Sequence, residues 1–141
     1  MNVQIEVPVS KIMSTNLITL EVNEGLAQAE YLFKKHKIRH IPVLEKGKLV
    51  GLLSMNDLLR ISFADGAYRE EENIASSIYE MFTIQQLMIW QLETVTSDTP
   101  VKEVARILVK REYHSLPVVD NGELMGMVTT TDVIKYLLSI T

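Results

Sequence analysis

The amino-acid sequence predicts an α/β (α+β) fold made of two tandem copies of one strand–helix–strand–strand–helix unit. The first observation is a repeated segment, because Ile41-Pro42-Val43-Leu44 recurs 75 residues later as Leu116-Pro117-Val118-Val119. The second is that the same offset, without a gap, matches further residues: Gly47 with Gly122, Gly51 with Gly126, Asp57 with Asp132, and Met13 with Met88. Two copies with so long a period predict two halves packed with pseudo-twofold symmetry rather than a solenoid.

Each copy is expected to begin with a short strand, over residues 17–22 and 92–97, followed by an amphipathic helix. Apolar residues of the second copy recur at the spacing of one helical face: Val101, Val104, Ala105, Leu108 and Val109. The first copy has an equivalent stripe: Leu26, Ala29, Leu32 and Phe33. Thr99-Pro100 predicts a capping residue and a proline at the first helical position. His36 lies on the apolar side of its helix, so we expect it to be buried or at the boundary.

Two strands joined by a tight turn follow in each copy. In the first copy they are expected over residues 41–44 and 48–53. The dipeptide Asn121-Gly122 is a strong hairpin signal, and it supports the same turn in both copies. Pro42 and Pro117 cannot donate to a strand ladder, so we expect them at a strand start or a sheet edge. Glycines inside the next strands, Gly51 and Gly126, indicate close approach of a backbone or a ligand.

The final helix of each copy is expected to start after residue 54 or 129 and to reach about residue 61 or 138. We therefore divide the chain into a first repeat (1–65), a connecting helix (66–82) and a second repeat (83–141). Apolar residues at helical spacing predict that the connection is amphipathic: Ile74, Ile78, Met81 and Phe82. The acidic run at residues 70–72 fits a solvated first helical turn or an acidic binding patch.

Composition limits the possible functions. The net charge of −4 provides no basic field for nucleic acid or an anionic membrane. The absence of cysteine excludes thiolate catalysis, cysteine-based zinc sites and disulfides. With neither a signal peptide nor an apolar run long enough to cross a membrane, we expect a cytoplasmic protein. Three scattered histidines and no glycine-rich phosphate loop argue against an enzyme, and no metal or cofactor is predicted.

Two matching segments, Ser54-Met55-Asn56-Asp57 and Thr129-Thr130-Thr131-Asp132, run from a strand into a helix. Ser/Thr-x-x-acid is the pattern of a capping box, although the acid is usually Glu, whose longer arm reaches back more easily. A helix N-terminus is also a natural site for phosphate. An aspartate one turn into the helix can accept both hydroxyl hydrogens of a ribose. The pattern therefore leaves both a capping role and a ligand-binding role open.

Taken in order, these features resemble the repeat of the cystathionine-β-synthase (CBS) domain family. The resemblance rests on an apolar-Pro-Val strand, a glycine turn, a glycine-containing strand and Ser/Thr-x-x-Asp, present twice. It implies a Bateman module, in which two repeats form a disc-like pair. It also implies two clefts between the repeats that bind AMP, ADP, ATP or S-adenosylmethionine.

The resemblance also implies roles for residues at matching positions. Asp57 and Asp132 would hold ribose hydroxyls. Ser54 and Thr129 would meet phosphate or ribose. The groups around two tripeptides would face the adenine: His40-Ile41-Pro42 and Ser115-Leu116-Pro117. Residues on the first strands would line the same clefts: Thr19 and Thr94.

The two predicted sites differ in their polar groups. Hydroxyls at Thr129, Thr130 and Thr131 favour the second site, whereas Met55 and Asn56 put the first in doubt. Cations near the prolines either point at phosphate or belong to a solvated helix end: Arg39, His40 and His114. The single tryptophan, Trp90, either stacks on a base or packs at an interface.

The resulting hypothesis is a regulatory module that senses adenine nucleotides and passes a conformational change to an unidentified effector protein. In the CBS family, exposed apolar helix faces usually pair two modules, so we expect a homodimer. A structural dimerisation module without ligand is the alternative, and Met55 and Trp90 favour it. A small enzyme has no support in the sequence.

Overall fold

The computed structural model describes residues 6–64 and 79–141, without the side chains of residues 62–64. The strands are β1 (Leu20–Glu21), β2 (His40–Glu45), β3 (Lys48–Ser54), β4 (Ser115–Asp120) and β5 (Glu123–Thr129). The α-helices with both ends in this part of the chain are α1 (Leu26–His36), α2 (Met55–Ala64), α3 (Ile84–Leu87), α4 (Val101–Arg111) and α5 (Thr130–Ser139). A 3-10 helix spans Val9–Lys11. Most of the expected connecting helix, including Ile74 and Ile78, lies outside the described residues.

The chain divides into two compact units that do not follow the sequence duplication. The first unit is Ile18–Leu92, and the second contains the residues up to Leu17 together with Glu93–Thr141. Each unit therefore holds the strands and helices of one copy and the short segment that leads into the other copy.

The first unit contains a three-stranded sheet with the strand order β1-β2-β3. Strand β1 runs parallel to β2, and β2 pairs with β3 in antiparallel register. The hairpin turn has two positive φ angles, 52° at Lys46 and 81° at Gly47. Two positive φ angles in a two-residue loop define a type I′ turn, which matches the right-handed twist of the strands. The predicted hairpin is confirmed.

The second unit repeats this hairpin with β4 and β5, and φ is 54° at Asn121 and 83° at Gly122. The prediction of a strand over residues 92–97 is wrong, because the segment forms one parallel bridge, between Val95 and Val118, instead of a strand. A turn ends the pairing immediately after Val95, since Thr99 N–H donates to Thr96 O at 3.0 Å. The first copy keeps only the two residues of β1.

The expectation of a strand start or edge is wrong for Pro42 and confirmed for Pro117, because β4 is an edge strand of a two-stranded sheet. Pro42 is the third residue of the central strand β2 and lies opposite Leu52. Both backbone groups of Leu52 bond to Ile89 instead, with N···O distances of 2.9 Å. Pro42 and Leu52 therefore form a non-hydrogen-bonded pair, which needs no N–H from the proline. Pro117 is accommodated in the same way opposite Met127.

The mid-strand glycines make room for methionines of the leading segments. A Cβ atom at Gly51 would overlap the side chain of Met88. A Cβ atom at Gly126 would lie 2.7 Å from Sδ of Met13 and 2.8 Å from the carbonyl oxygen of Ser14. The close approach expected at these glycines is therefore made by protein backbone and side-chain atoms.

Each unit has its own hydrophobic core beneath the amphipathic helices. The predicted stripes supply buried residues of α1 and α4: Leu26, Ala29, Phe33, Val101, Val104 and Leu108. Val109 is wrongly included in the stripe, since it is 79% exposed. Eight residues after Val101, its position is rotated by about 80° around the helix axis and leaves the buried face.

Two local expectations at helix ends are also wrong. Pro100 is the N-cap of α4 rather than its first helical residue, and no side chain caps it. The Thr99 hydroxyl instead accepts from Thr96 N–H at 3.1 Å. His36 is exposed, because it occupies the last turn of α1, where neighbouring residues are cationic.

Candidate functional site

The Thr129–Asp132 segment forms the predicted capping box at the start of α5. Asp132 N–H donates to Oγ1 of Thr129 at 3.1 Å, and Thr129 N–H donates to Oδ2 of Asp132 at 2.8 Å. The shorter arm of aspartate therefore does reach back to the N-cap. Two of the unpaired N–H groups at the helix start are satisfied in this way.

The first copy has the same arrangement at the start of α2. Asp57 N–H donates to Oγ of Ser54 at 3.0 Å, and Ser54 N–H donates to Oδ2 of Asp57 at 3.2 Å. The capping role predicted for both segments is confirmed, and it occupies only one carboxylate oxygen of each aspartate.

The second carboxylate oxygen distinguishes the two copies. Oδ1 of Asp57 accepts from the Arg60 guanidinium, and Asp57 is only 7% exposed. Asp132 is half-buried, and no group in the described part of the chain donates to its Oδ1. Asp132 thus retains an available acceptor that Asp57 lacks. The Arg60 partner was missed at the sequence level, although its i,i+3 spacing from Asp57 is a recognisable ion-pair signal.

Backbone pairing brings other predicted residues to these helix starts. His40 pairs with Ser54 in the first unit, and Ser115 pairs with Thr129 in the second. The first N–H of each helix donates to the residue before the strand, from Met55 to Arg39 O at 2.9 Å and from Thr130 to His114 O at 3.0 Å. The start of one strand, the end of the next and the start of a helix therefore meet in each unit.

The threonines of the leading strands lie near the prolines. Thr94 is exposed and precedes Val95, whose N–H donates to Pro117 O at 3.1 Å. Thr19 is half-buried and precedes Leu20, which pairs with Val43. Both threonines therefore lie beside the strand that carries the proline of their own unit.

Ser115 is the most unusual polar residue of the second unit. It is 6% exposed, and its Oγ has no hydrogen-bond partner among the described residues. Buried hydroxyls are normally paired, so an unpaired one requires an explanation. His40 occupies the equivalent position in the first unit.

The cationic side chains near the prolines are mostly at the surface. Arg39 and His114 are exposed, and His40 is half-buried. Thr131 is exposed as well, whereas Pro42 and Pro117 are buried. A role for these cations in phosphate binding stays a prediction.

Ser97 and Asp120 form a polar contact that sequence reasoning missed. The N–H and hydroxyl of Ser97 both donate to the carboxylate, at 2.9 and 2.6 Å. The hydrogen bond from the Ser97 hydroxyl, followed by that from its N–H, lowers the pKa of Asp120. The first copy has Val22 and Glu45 at these positions, so the repeat carried no signal for this contact.

The remaining candidate residues lie at or near the surface. Trp90 is 67% exposed, Met55 is half-buried and Asn56 is exposed.

In residues 6–64 and 79–141, no cluster of three or more metal-ligating side chains occurs. No helix in those ranges is long and apolar enough to span a membrane.

Comparison with known proteins decides the family. The sequence model of the CBS domain matches residues 9–64 and 84–139, which together make up most of the chain. The chain belongs to the CBS-domain family. Both predicted repeats are CBS repeats, so the predicted family and the mixed α/β fold of tandem repeats are confirmed.

Among curated relatives, the protein MJ1225 of Methanocaldococcus jannaschii is 25% identical over 127 residues, which cover 88% of this chain and 45% of that protein. This chain therefore spans less than half the length of that relative.

Two solved CBS structures have the same fold. CBSX2 in complex with AMP is 25% identical, has a TM-score of 0.78, and is matched over 94% of this chain and 97% of its own. The CBS domain pair of MJ0100, in complex with 5′-methylthioadenosine and S-adenosyl-L-methionine, is 27% identical with a TM-score of 0.79. That match covers 96% of this chain and 99% of the other.

Proposed function

We propose that this chain is a regulatory CBS domain pair that binds an adenosine-containing ligand, and that the site of the second unit is the stronger one. The observation that carries the proposal is the open Oδ1 of Asp132, held at the start of α5 by its capping box. Support comes from the similar structures CBSX2 and MJ0100, which contain AMP and S-adenosyl-L-methionine respectively.

The proposed contacts follow from the chemistry of the second unit. The Asp132 carboxylate accepts from the two ribose hydroxyls, because the cap holds its Oδ2 and no donor among the described residues occupies its Oδ1. The hydroxyl of Thr131 and the exposed His114 are suited to a phosphate at the helix N-terminus, whereas the Thr130 hydroxyl donates to His114 O at 3.4 Å. Pro117 and Thr94 lie beside the base.

The first unit is proposed to bind more weakly. Arg60 occupies Oδ1 of Asp57, so a ribose must displace an ion pair before it is bound. Met55 and Asn56 replace two of the hydroxyl residues of the second unit. His40, Arg39 and Ser54 supply its remaining polar groups, and Thr19 lies on its leading strand.

The output of the module is proposed to be a change in its contacts with other proteins. A ligand shifts a conformational equilibrium only by its difference in affinity for the two states. We infer that the chain forms a homodimer and acts on an effector protein, with no chemical step of its own. Apolar residues on the solvent face of α5 support the homodimer: Ile134, Leu137 and Leu138.

Titration calorimetry of AMP, ADP, ATP and S-adenosylmethionine into wild type, Asp132→Asn and Asp57→Asn tests the proposal. An asparagine can still accept the N–H of Thr129, so Asp132→Asn retains the cap and replaces only the outward acceptor with a donor. We expect Asp132→Asn to weaken the tighter site by about 10- to 100-fold, the equivalent of about 1.5–3 kcal/mol. Asp57→Asn should leave that site unchanged. Wild-type protein that binds none of the four ligands would exclude the sensing role.

The second candidate is a structural dimerisation module without ligand. The exposed Trp90 and the apolar face of α5 favour it. A thermal-shift panel with the same four ligands separates the two functions, because a ligand that binds only the folded state raises Tm.

A further inference from the structure

The second unit contains a segment that precedes the strands of the first copy, residues 6–17, which we call the leading segment of the second unit. The side chain of Val9 is fully buried in the core of this unit. The Val9 N–H donates to Thr99 O at 2.7 Å. At the start of α4, the N–H of Val101 donates to Val7 O at 2.8 Å. Core packing and backbone hydrogen bonds therefore dock the segment together.

The same segment pairs with the outer edge of β5, which faces away from β4. Met127 and Pro117 form a non-hydrogen-bonded pair, so both backbone groups of Met127 point to this edge. Ser14 takes both bonds there, with N···O distances of 2.8 and 3.0 Å. Because the two kinds of pair alternate along an antiparallel ladder, Thr129, two residues later, directs its N–H to the same edge. The Asp132 carboxylate accepts that N–H at 2.8 Å.

We propose that the leading segment is a positioning element of the second-unit site, and that its docking on β5 and the occupancy of the site favour each other. The inference rests on the proposed function and concerns the regulation of that site. With the segment docked, Ser14 holds β5 two residues before Thr129, the N-cap that binds the Asp132 carboxylate. Without it, the end of β5 is an unpaired edge, and the carboxylate loses its preorganised position.

This coupling gives the second site a covalent route to the first unit. The chain passes from the second unit into the first between Leu17 and Ile18, directly after the leading segment. Leu20 follows, and it begins β1, which pairs with β2. A ligand that favours the docked segment therefore acts on the residues that enter β1. The size of the effect is set by the difference in ligand affinity between the docked and undocked states.

The first unit offers a matched control within the same molecule. Ile89 and Leu52 exchange two backbone hydrogen bonds there, both at 2.9 Å. Ile89 is the counterpart of Ser14 at the offset of 75 residues. Because Arg60 pairs with Asp57, the site of that unit is proposed to be the weaker one. A ligand in the tighter site should therefore leave the Ile89–Leu52 pair largely unaffected.

Amide hydrogen exchange of wild type, with and without the tightest-binding of AMP, ADP, ATP and S-adenosylmethionine, tests the coupling. A ligand that binds only the docked state slows the exchange of amides that open with the segment by the factor 1 + [L]/Kd. At a free concentration of roughly ten times the Kd, we expect about tenfold slower exchange at the hydrogen-bonded amides of Val9, Ser10 and Ser14. Leu52 and Ile89 should slow far less. Unchanged exchange at the three segment amides, or equal slowing in both units, would overturn the inference.

Two substitutions test the reverse effect, in which docking controls affinity. Val9→Asp places a carboxylate at a fully buried position and should undock the segment. Ser10→Asp adds the same charge at an exposed neighbouring position. In titration calorimetry with the same ligand, Val9→Asp should weaken the tighter site at least about tenfold, and Ser10→Asp should change it by less than about twofold. Equal affinities of the two variants would contradict the coupling. If circular dichroism showed Val9→Asp to be unfolded, the exchange experiment on wild type would decide.

Failure of the coupling is distinguishable from failure of the proposed function. If wild type bound one of the four ligands but exchange at the segment amides did not respond, the leading segment would be purely structural and the proposed function would stand. If wild type bound none of them, both would fail together.

Discussion

Ser97 donates two hydrogen bonds to one carboxylate, that of Asp120, at 2.9 Å from its N–H and 2.6 Å from its hydroxyl. This contact lies where the segment that leads into the second copy ends its pairing with β4. Because both bonds favour the ionised carboxylate, the pKa of Asp120 lies below its ordinary value of 3.8.

The lowered pKa of Asp120 predicts a specific dependence of stability on pH. A group with a depressed pKa in the folded state stabilises the fold fully above its unfolded pKa. That contribution is lost as the pH falls through the folded pKa. We expect Asp120→Asn to be less stable than wild type at pH 7, with the difference shrinking steadily below about pH 4. Urea unfolding from pH 7 to pH 3 measures the difference.

The control for this pH series is Glu123→Gln, which removes an exposed carboxylate from the same hairpin. Its difference from wild type should vary little over the same range. A difference between wild type and Asp120→Asn that did not change with pH would contradict the linkage of the Ser97 contact to ionisation.

Gly126→Ala tests the close approach of the leading segment to β5. The new Cβ would lie 2.8 Å from the carbonyl oxygen of Ser14, whose backbone is held by two hydrogen bonds to Met127. We expect a loss of about 1–3 kcal/mol in the free energy of unfolding, typical of overpacking. Urea denaturation measures it.

In the matched substitution, Gly51→Ala, the three atoms nearest the new Cβ all belong to the flexible side chain of Met88. Combining it with Met88→Ala should recover part of its cost, which a double-mutant cycle detects as a coupling energy. Gly126→Ala should recover less when combined with Met13→Ala, because the overlap with the Ser14 carbonyl remains. Equal recovery in both cycles would contradict this difference.

The capping box of α5 predicts the effect of losing the Thr129 hydroxyl. Thr129→Ala leaves the N–H of Asp132 without its side-chain acceptor. We expect a loss of about 1 kcal/mol in the free energy of unfolding. Thr131→Ala, an exposed residue of the same helix, should change stability by less than about 0.5 kcal/mol. If the two variants lost the same stability, Thr129 would not be acting as a cap.

The solvent face of α5 predicts the oligomeric state. Leu138 is 72% exposed, and Ile134 and Leu137 accompany it on the same helix. If this face pairs two copies, Leu138→Glu should convert a dimer into a monomer in sedimentation velocity experiments, because it places an unpaired charge in an apolar interface. Lys135→Gln should leave the dimer intact. Wild type that sediments as a monomer would exclude the homodimer.

The elements with local signals could be predicted from the sequence. Asn121-Gly122 forms the expected hairpin turn because both residues tolerate a positive φ. The capping boxes at Ser54 and Thr129 follow from residues only three positions apart. The apolar stripe of α4 identified its core residues, with Val109 as the exception at the end of the stripe.

Features that depend on distant segments could not be predicted. Pro42 fits inside β2 because Ile89, far along the chain, takes the hydrogen bonds of Leu52. The Ser97–Asp120 contact could not be predicted either, because no local sequence pattern connects these two residues. The motif of the candidate site, Thr129-x-x-Asp132, could be predicted from the sequence. The burial of the Ser115 hydroxyl could not, because it is a property of the folded unit.

The most direct test of the central claim is a crystal structure of the protein with AMP bound. We predict that both ribose hydroxyls lie within hydrogen-bond distance of the Asp132 carboxylate, while Oδ2 still accepts from Thr129 N–H. A structure in which AMP is bound elsewhere, with Asp132 contacting only its own helix cap, would contradict the proposed site.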